Sequence, residues 1–481
     1  MAPPEAERNL IGGRWLPSAG DDTVAVLDPA TAEEIGRIPA GHSEDAAQAV
    51  SAARGAGAGW ARIPAAERAG MLKAAARLLR DQVESLARCQ TLENGKPLGD
   101  SRGGVMAGIE AIEQYAELGP LHRGRSLGGS WLASDLMVHV PRGVAALLVP
   151  WNDPVAIACG QLAASLVVGN TVVFKPSEKT PLSAVALTRT LAEVLPPGVV
   201  NLVLGDGRVG AALVADERVD VVLHTGSVET GRQIAQQCAG QLKKAILELG
   251  GKDPLIVDAG VDPSWAAGQA ATGAFANCGQ ICTSVERIYV HEEVAGPFLD
   301  ALVEQARALV VGPGLDQATD MGPLIDERQR RIVDTHVGQA AEAGASVLTG
   351  GSPLDGPGFF YPPTVLSDVT GEMALFREET FGPVAPVQVV ASFDEALARA
   401  NDSEYGLAAT VLTPSVEHAH RAGRELQVGT VKVNAVWGGA PGGAAIPHKH
   451  SGSAFGYGPE LLDELTLTRV VHHAPPPAGA P

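Results

Sequence analysis

The chain has 481 residues, enough for two or three lobes with substantial cores, and its 45% hydrophobic and 19% charged residues are ordinary for a globular protein. A formal net charge of −19 argues against nucleic acid or an anionic membrane as partner, because both demand basic patches. No apolar run approaches the roughly 20 residues needed to cross a bilayer, and five cysteines (Cys89, Cys159, Cys238, Cys278, Cys282) are an odd, sparse set that does not suggest a disulfide framework.

The opening MAPPEAERNL lacks the basic and apolar regions of an export signal, so a cytoplasmic, reducing compartment is expected. Residues 1–8 and 474–481, rich in Pro and Ala, are expected to be disordered tails. Residues 9–40 carry short alternating segments such as Thr23–Leu27, read as outer strands. From Ser43 to Glu117 the pattern is helical, with Ser43 as candidate N-cap and Met71, Leu72, Ala75, Ala76, Leu78 and Leu79 on one face. Trp131–Val140 reads as a strand pair leading into the next region.

After about residue 140, short apolar strands alternate with small-residue helices: Val144–Val149, Thr171–Phe174, Val199–Val203, Val219–Leu223 and Ala245–Leu247. That alternation predicts βαβ units and a parallel sheet covered on both faces, a Rossmann-like lobe. A second α/β series follows, with strands near Leu255–Val257, Arg287–Val290, Ser346–Leu348, Val384–Val390, Ala408–Leu412 and Gly429–Val433. Leu465–Val471 is a late strand of strong β propensity. The fold class is α/β, and the chain shows no internal repeat.

Chemistry concentrates between Leu247 and Ser284. Glu248 stands in Leu-Glu-Leu-Gly-Gly-Lys, and 34 positions later Cys282 stands in Gly-Gln-Ile-Cys-Thr-Ser. A thiol attacks well as thiolate, and a nearby carboxylate can activate it or a water that later attacks its adduct. Asn152, in Pro150-Trp151-Asn152 between a strand and a helix, offers an amide donor for an oxyanion. Lys175-Pro176-Ser177-Glu178 follows a buried strand, where an α/β sheet presents its ligand crevice. Gly226-Ser227-Val228-Glu229-Thr230-Gly231 opens a helix whose positive end suits a pyrophosphate. Cys278 lacks the further ligands a zinc site needs and reads as a packing residue. No metal is expected, and His448-Lys449-His450 has no acidic or cysteine partner to make one.

Together these pieces closely resemble the aldehyde dehydrogenase superfamily, from about Asn9 to Val471. The resemblance implies a Rossmann-like cofactor lobe (9–124 and 142–250), a second α/β catalytic lobe (251–461), and a small β oligomerisation segment (125–141 and 462–473). It implies Cys282 as nucleophile, Glu248 as the base that activates water, and Asn152 with the Cys282 amide as oxyanion hole. Pro150, Trp151, Lys175, Ser177, Glu178, Gly207, Gly226, Ser227 and Gly231 are implied to bind the cofactor. Glu379 and Phe381, in Glu-Glu-Thr-Phe-Gly-Pro-Val, are implied to hold the nicotinamide ribose, and Asn434 to support the active-site loop. A carboxylate at Glu178 suits a free 2′-hydroxyl, so NAD is preferred to NADP. The expected reaction is oxidation of an aldehyde to the free acid through a cysteine thiohemiacetal and thioester, by a homodimer or homotetramer. A dedicated semialdehyde or aminoaldehyde dehydrogenase, a cysteine esterase and a non-catalytic structural relative are the alternatives.

The chain departs from the resembled pattern in three places. His224 replaces the usual Phe before Thr225-Gly226-Ser227 and reads as a strand-end residue. Asp153 replaces an aromatic of the substrate tunnel; it either complements a helix start with Pro154 or faces the tunnel and favours a polar or cationic aldehyde. In the C-terminal motif, Ile446-Pro447 and Phe455-Gly456 replace a glycine pair and an Arg-Glu pair, while Lys449, Ser451 and Gly452 survive. Trp437, among Gly438, Gly439, Gly442 and Gly443, reads either as a wall of the substrate pocket or as a core anchor.

Overall fold

The computed structural model of the protein describes residues 7–438 and 443–476. Residues 1–6 and 477–481 of the expected tails, and Gly439 and Gly442, lie outside the described residues.

The first lobe is built on an eight-stranded sheet. Its five central strands run parallel in the spatial order Val200–Leu202, Thr171–Lys175, Val144–Leu148, Val221–Thr225 and Lys244–Glu248. Val144–Leu148, Thr171–Lys175 and Val221–Thr225 are buried along their whole length, because helices cover both faces; that is why they read as continuous apolar runs. Chain order moves outward one way from Val144–Leu148, then jumps to its other side at Val221–Thr225. The order therefore reverses between these two strands, and their carboxyl ends splay into a crevice.

The strand expected from Val219 begins at Val221. Asp220 just before it turns its carboxylate to accept from the Val144 amide at 2.7 Å, and the strand runs on to include His224. The first long helix, Ser43–Arg62, is capped one residue earlier than expected. His42 is the N-cap and Ser43 the first helical residue, because Asp45 reaches back to accept from the His42 amide at 3.0 Å.

The second lobe carries a seven-stranded sheet in the order Ser346–Thr349, Thr364–Ser367, Val384–Val390, Val285–His291, Asp253–Val257, Ala408–Leu412 and Thr430–Val433. Thr364–Ser367 was not anticipated, since four residues after a Pro-Pro pair carry little periodic signal. The chain then returns to the first lobe. Gly452–Ser453 pairs antiparallel with Lys244–Glu248, and Leu461, Leu462 and Leu465 enter the same core as Leu147 and Phe174. This stretch, assigned in sequence to the second lobe as far as 461, thus packs on the first.

A separate three-stranded sheet joins Arg125–Leu127, Ser134–Pro141 and Thr466–His473, all antiparallel, with Thr466 opposite Pro141 and His473 opposite Ser134. The strand pair expected over Trp131–Val140 is displaced. Trp131 and Leu132 fall in an exposed turn, where the Ser130 hydroxyl accepts from the Leu132 amide at 3.2 Å. All five cysteines are free. Among the described residues no helix is long and apolar enough to cross a membrane.

Candidate active site

A cleft of about 530 Å³ opens at the carboxyl ends of Val144–Leu148, Thr171–Lys175 and Val221–Thr225. Pro150, Trp151, Lys175, Ser177, Glu178, Gly207, Gly226 and Ser227 all line it. Lys175 is buried, which pushes its ammonium pKa down; it donates to the Pro176 carbonyl at 2.8 Å and lies 3.9 Å from the Glu178 carboxylate. Ser227 caps the helix Val228–Gly240, its hydroxyl accepting from the Thr230 amide at 3.3 Å. Gly231 does not line the cleft. A Cβ there would strike Leu249, so this glycine lets the helix settle close to its neighbour.

The cleft continues into a second chamber, of about 380 Å³, lined by Asn152, Cys282, Glu379 and Phe381. The nucleophile loop gets its shape from Asn277, Cys278 and Gly279, three successive residues at positive φ (50°, 58° and 70°). A Cβ at Gly279 would strike the Gly382 carbonyl, so only glycine fits. Asn277 fastens the loop: its side-chain amide donates to the carbonyls of Asn152 at 3.2 Å and Gln280 at 3.1 Å. Asn152 donates one N–H to the Gln280 carbonyl at 3.1 Å, which leaves its second N–H for a ligand. Cys278 is buried and packs, as its sequence context suggested.

Across the chamber, Gly250 makes room for Glu379, which accepts from the Gly251 amide at 3.0 Å. Burial first, and then the charge of Glu286, push Glu379 up to about 8. Glu286 accepts from the amides of Thr380 at 2.8 Å and Phe381 at 2.9 Å and pairs with buried Lys252 at 2.6 Å. Phe381, at φ 51°, is thereby held edge-on to Trp151, their centroids 5.4 Å apart. Lys179 completes this bridge between lobes, 5.3 Å above the Trp151 ring and 2.5 Å from Asp326.

The two reactive groups sit within each other's field. Burial, followed by the charges of Glu248, Asp253 and Glu379, pushes the Cys282 thiol up to about 12. Burial likewise pushes Glu248 up to about 8, against a hydrogen bond from the Gly456 amide. A Cβ at Gly456 would collide with the Glu248 carboxylate, so the departure from Glu to Gly at this position has a steric reason here. Tyr457 next to it keeps 41% of its surface open. Its phenol nevertheless feels burial and the charges of Glu248, Cys282 and Asp153, which raise it well above the usual range. Tyr457, Asn277 and Glu286 were not singled out in sequence, and Gly456 was noted only as a departure from the C-terminal motif.

Neither candidate pocket residue lines these two chambers. Asp153 is the N-cap residue of Pro154–Val167, but its carboxylate pairs with Lys96 at 3.2 Å instead of capping the helix. It does not line either chamber. Trp437 packs against the core of the second lobe, with the Lys432 ammonium 5.0 Å above its ring. Asn434 brackets the Thr413 backbone, donating to its carbonyl at 3.0 Å and accepting from its amide at 2.8 Å. The surviving residues of the C-terminal motif hold the returning chain. Ser451 accepts from the amides of Gly406 at 2.9 Å and Leu249 at 2.8 Å, through hydroxyl and carbonyl respectively. Lys449 donates to two backbone carbonyls, and a Cβ at Gly452 would strike the Leu247 carbonyl.

A family model described as the aldehyde dehydrogenase family matches residues 15–471. A betaine aldehyde dehydrogenase of Cereibacter sphaeroides is 40% identical over 434 residues, 89% of this chain and 89% of that one. Among solved structures, betaine aldehyde dehydrogenase from Staphylococcus aureus in complex with NAD+ superposes with a TM-score of 0.95 at 32% identity, covering 98% of this chain and 95% of the other. A 3,6-anhydro-L-galactose dehydrogenase in complex with NADP gives a TM-score of 0.95 at 34% identity, covering 98% and 100%.

Proposed function

The chain belongs to the aldehyde dehydrogenase family, and on that premise we propose that Cys282, Glu248 and Asn152 oxidise a small aldehyde to its carboxylic acid with NAD as hydride acceptor. Support rests above all on Asn152 and Cys282, which line the chamber where a dinucleotide-sized cleft ends, with Glu248 near enough for its charge to raise the thiol. The residues present fit such a cofactor. The cleft lies where strand order reverses, the helix Val228–Gly240 points its N-terminus at it, and a Lys–Glu pair stands at the ribose end.

In this reading the bound nicotinamide supplies the hydride acceptor, and the rest is work of the chain. Cys282 loses its proton and its sulfur adds to the aldehyde carbon. The Asn152 amide and the Cys282 backbone N–H hold the oxyanion. As the C–H bond breaks with its electron pair, the carbonyl re-forms as a thioester on Cys282. Glu248, as carboxylate, takes a proton from water; the hydroxide attacks the thioester, and the acid leaves while the sulfur regains a proton.

Glu178 beside Lys175 favours a free ribose hydroxyl over a 2′-phosphate, so NAD is the preferred partner and NADP the lesser one. The lobes are divided as 9–124 with 142–250, 251–461 save the stretch from Gly452 on, which packs on the first lobe, and the strands of 125–141 with 462–473. Leu467 and Val470 on the last strand are exposed, consistent with a homodimer or homotetramer that covers them. The five free cysteines accord with a cytoplasmic, reducing compartment.

The decisive experiment follows absorbance of reduced nicotinamide over aliphatic, aromatic, amino- and carboxy-aldehydes, with NAD and NADP in parallel and a Cys282→Ala control. Turnover that requires Cys282 and favours NAD is expected. Absence of reduction with every aldehyde, or full activity in C282A, would overturn the reading.

A further inference from the structure

Far from Cys282, His122, His139 and Asp463 each offer one ligand atom, and the three atoms lie within 4.8 Å of one another. They come from three different elements. His122 follows the turn Gly119–Leu121 at the end of the helix Leu98–Leu118, His139 stands on the strand Ser134–Pro141, and Asp463 on the short helix Glu460–Glu464. No local motif announces the cluster, since His122 and Asp463 are 341 positions apart.

The geometry is close to what a small cation needs. The Asp463 carboxylate lies 2.8 Å from His122 Nε2, and two ligands bound at about 2 Å to one cation lie roughly 3 Å apart. The His139 ring rests against the His122 ring, with centroids 4.1 Å apart and planes tilted by 31°. Its Nδ1 meets the Thr466 hydroxyl at 3.5 Å, and its Nε2 makes no hydrogen bond with the described residues. Both imidazoles and Asp463 line a pocket of about 390 Å³, which gives an ion access and leaves room for water. Arg123 and Arg125 line it too, against Glu460 and Asp463, so charge alone does not draw cations here and selection falls to the donor atoms. Imidazole nitrogen suits zinc, cobalt, nickel and copper, whereas magnesium and calcium take oxygen donors.

We propose that His122, His139 and Asp463 bind one divalent transition-metal ion of the zinc class, with water completing the shell. The ion replaces the proton between His122 and Asp463, because a histidine nitrogen must be unprotonated to ligate. It fastens the helix end, the strand and the short helix to one another, and so seats the three-stranded sheet on the first lobe. The pocket shares no lining residue with the two chambers around Cys282, so the ion takes no part in aldehyde chemistry and its binding is independent of the dinucleotide.

The test is calorimetric titration of the full chain with Zn²⁺, Co²⁺ and Mg²⁺, after treatment with EDTA and in a C282A background so that the thiol cannot take the ion. Zn²⁺ is expected to bind at this site, Co²⁺ to bind with a visible absorption band, and Mg²⁺ to bind far more weakly. Loss of a partner that merely orients a ligand costs a metal site about 10–100-fold. Adding H139Q or D463N, which removes a ligand itself, should therefore weaken Zn²⁺ by at least about tenfold and abolish the cobalt band. Zn²⁺ should also raise the melting transition of C282A and leave that of either double variant unmoved. Where H139Q does not fold, D463N decides, since that side chain is exposed. Equal Zn²⁺ affinity in C282A and both double variants would put the ion elsewhere and overturn the proposal. So would the absence of Zn²⁺ binding in C282A, or Mg²⁺ binding as tightly as Zn²⁺.

Discussion

Lys252 and Glu286 form a buried ion pair at 2.6 Å, and the same Glu286 accepts from the backbone of Thr380 and Phe381. A pair 34 residues apart, Lys252 just before one strand and Glu286 on its neighbour, thus fixes a loop from elsewhere in the chain, and with it the left-handed turn at Phe381. Replacing Glu286 with Gln leaves a buried ammonium without its counter-charge, which costs about 3–5 kcal/mol. E286Q is expected to lose that much in urea unfolding and to raise KM for NAD more than it lowers kcat. K252M/E286Q should recover part of the stability. Equal stabilities of E286Q and wild type would show that the pair does not hold the loop.

Cys282 rests as a thiol, pushed up to about 12 by burial and by three carboxylates. A cationic nicotinamide nearby offsets those charges and favours thiolate. Alkylation by iodoacetamide, read at Cys282 by mass spectrometry, is therefore expected to be slow in the free protein and at least about tenfold faster with NAD, a shift of one pKa unit being worth a factor of ten. NADH, whose ring is neutral, should not accelerate it. Identical rates with and without NAD would mean that the thiol is activated by the protein alone.

Much of this site was legible because its residues are close in sequence to their tasks. Asn152 follows a buried strand directly, and Cys282 lies in a loop whose small residues announce it. Strand positions came from apolar runs that both sheet faces require. What stayed hidden depends on distant partners. What the Asp153 carboxylate meets depends on Lys96, 57 positions earlier. Gly456 owes its identity to Glu248, and Glu286 owes its role to a loop almost a hundred residues on. Even the first helix begins at Ser43 and not after it because Asp45 takes the His42 amide.

Glu248 must be a carboxylate to act as base, and burial pushes it up to about 8. A raised acid pKa means that the charged, active form is lost as pH falls, so thioester hydrolysis should rise through pH about 8 and level off above it. E248Q should cut steady-state turnover by about 10²–10⁴ while a first burst of reduced cofactor persists, since hydride transfer precedes hydrolysis. G456A, whose methyl would collide with the Glu248 carboxylate, is expected to show the same pattern more mildly. Stopped-flow traces without a burst in E248Q would move Glu248 to the earlier step.

Asp153 sits 3.2 Å from Lys96, whose side chain is 9% exposed, so its charge is already matched within the protein. A matched carboxylate attracts a cationic aldehyde weakly, and removing it strands a buried ammonium. D153N is thus expected to lower stability by about 1–3 kcal/mol, the cost of an unsatisfied buried partner. The ratio of kcat/KM for an aminoaldehyde over an alkyl aldehyde of equal length should stay within about threefold of wild type. D153F, with the aromatic found in related chains, should leave that ratio equally unmoved where it folds. A fall of about tenfold or more in both variants, equivalent to 1.4 kcal/mol of lost discrimination, would place the Asp153 carboxylate in contact with the substrate.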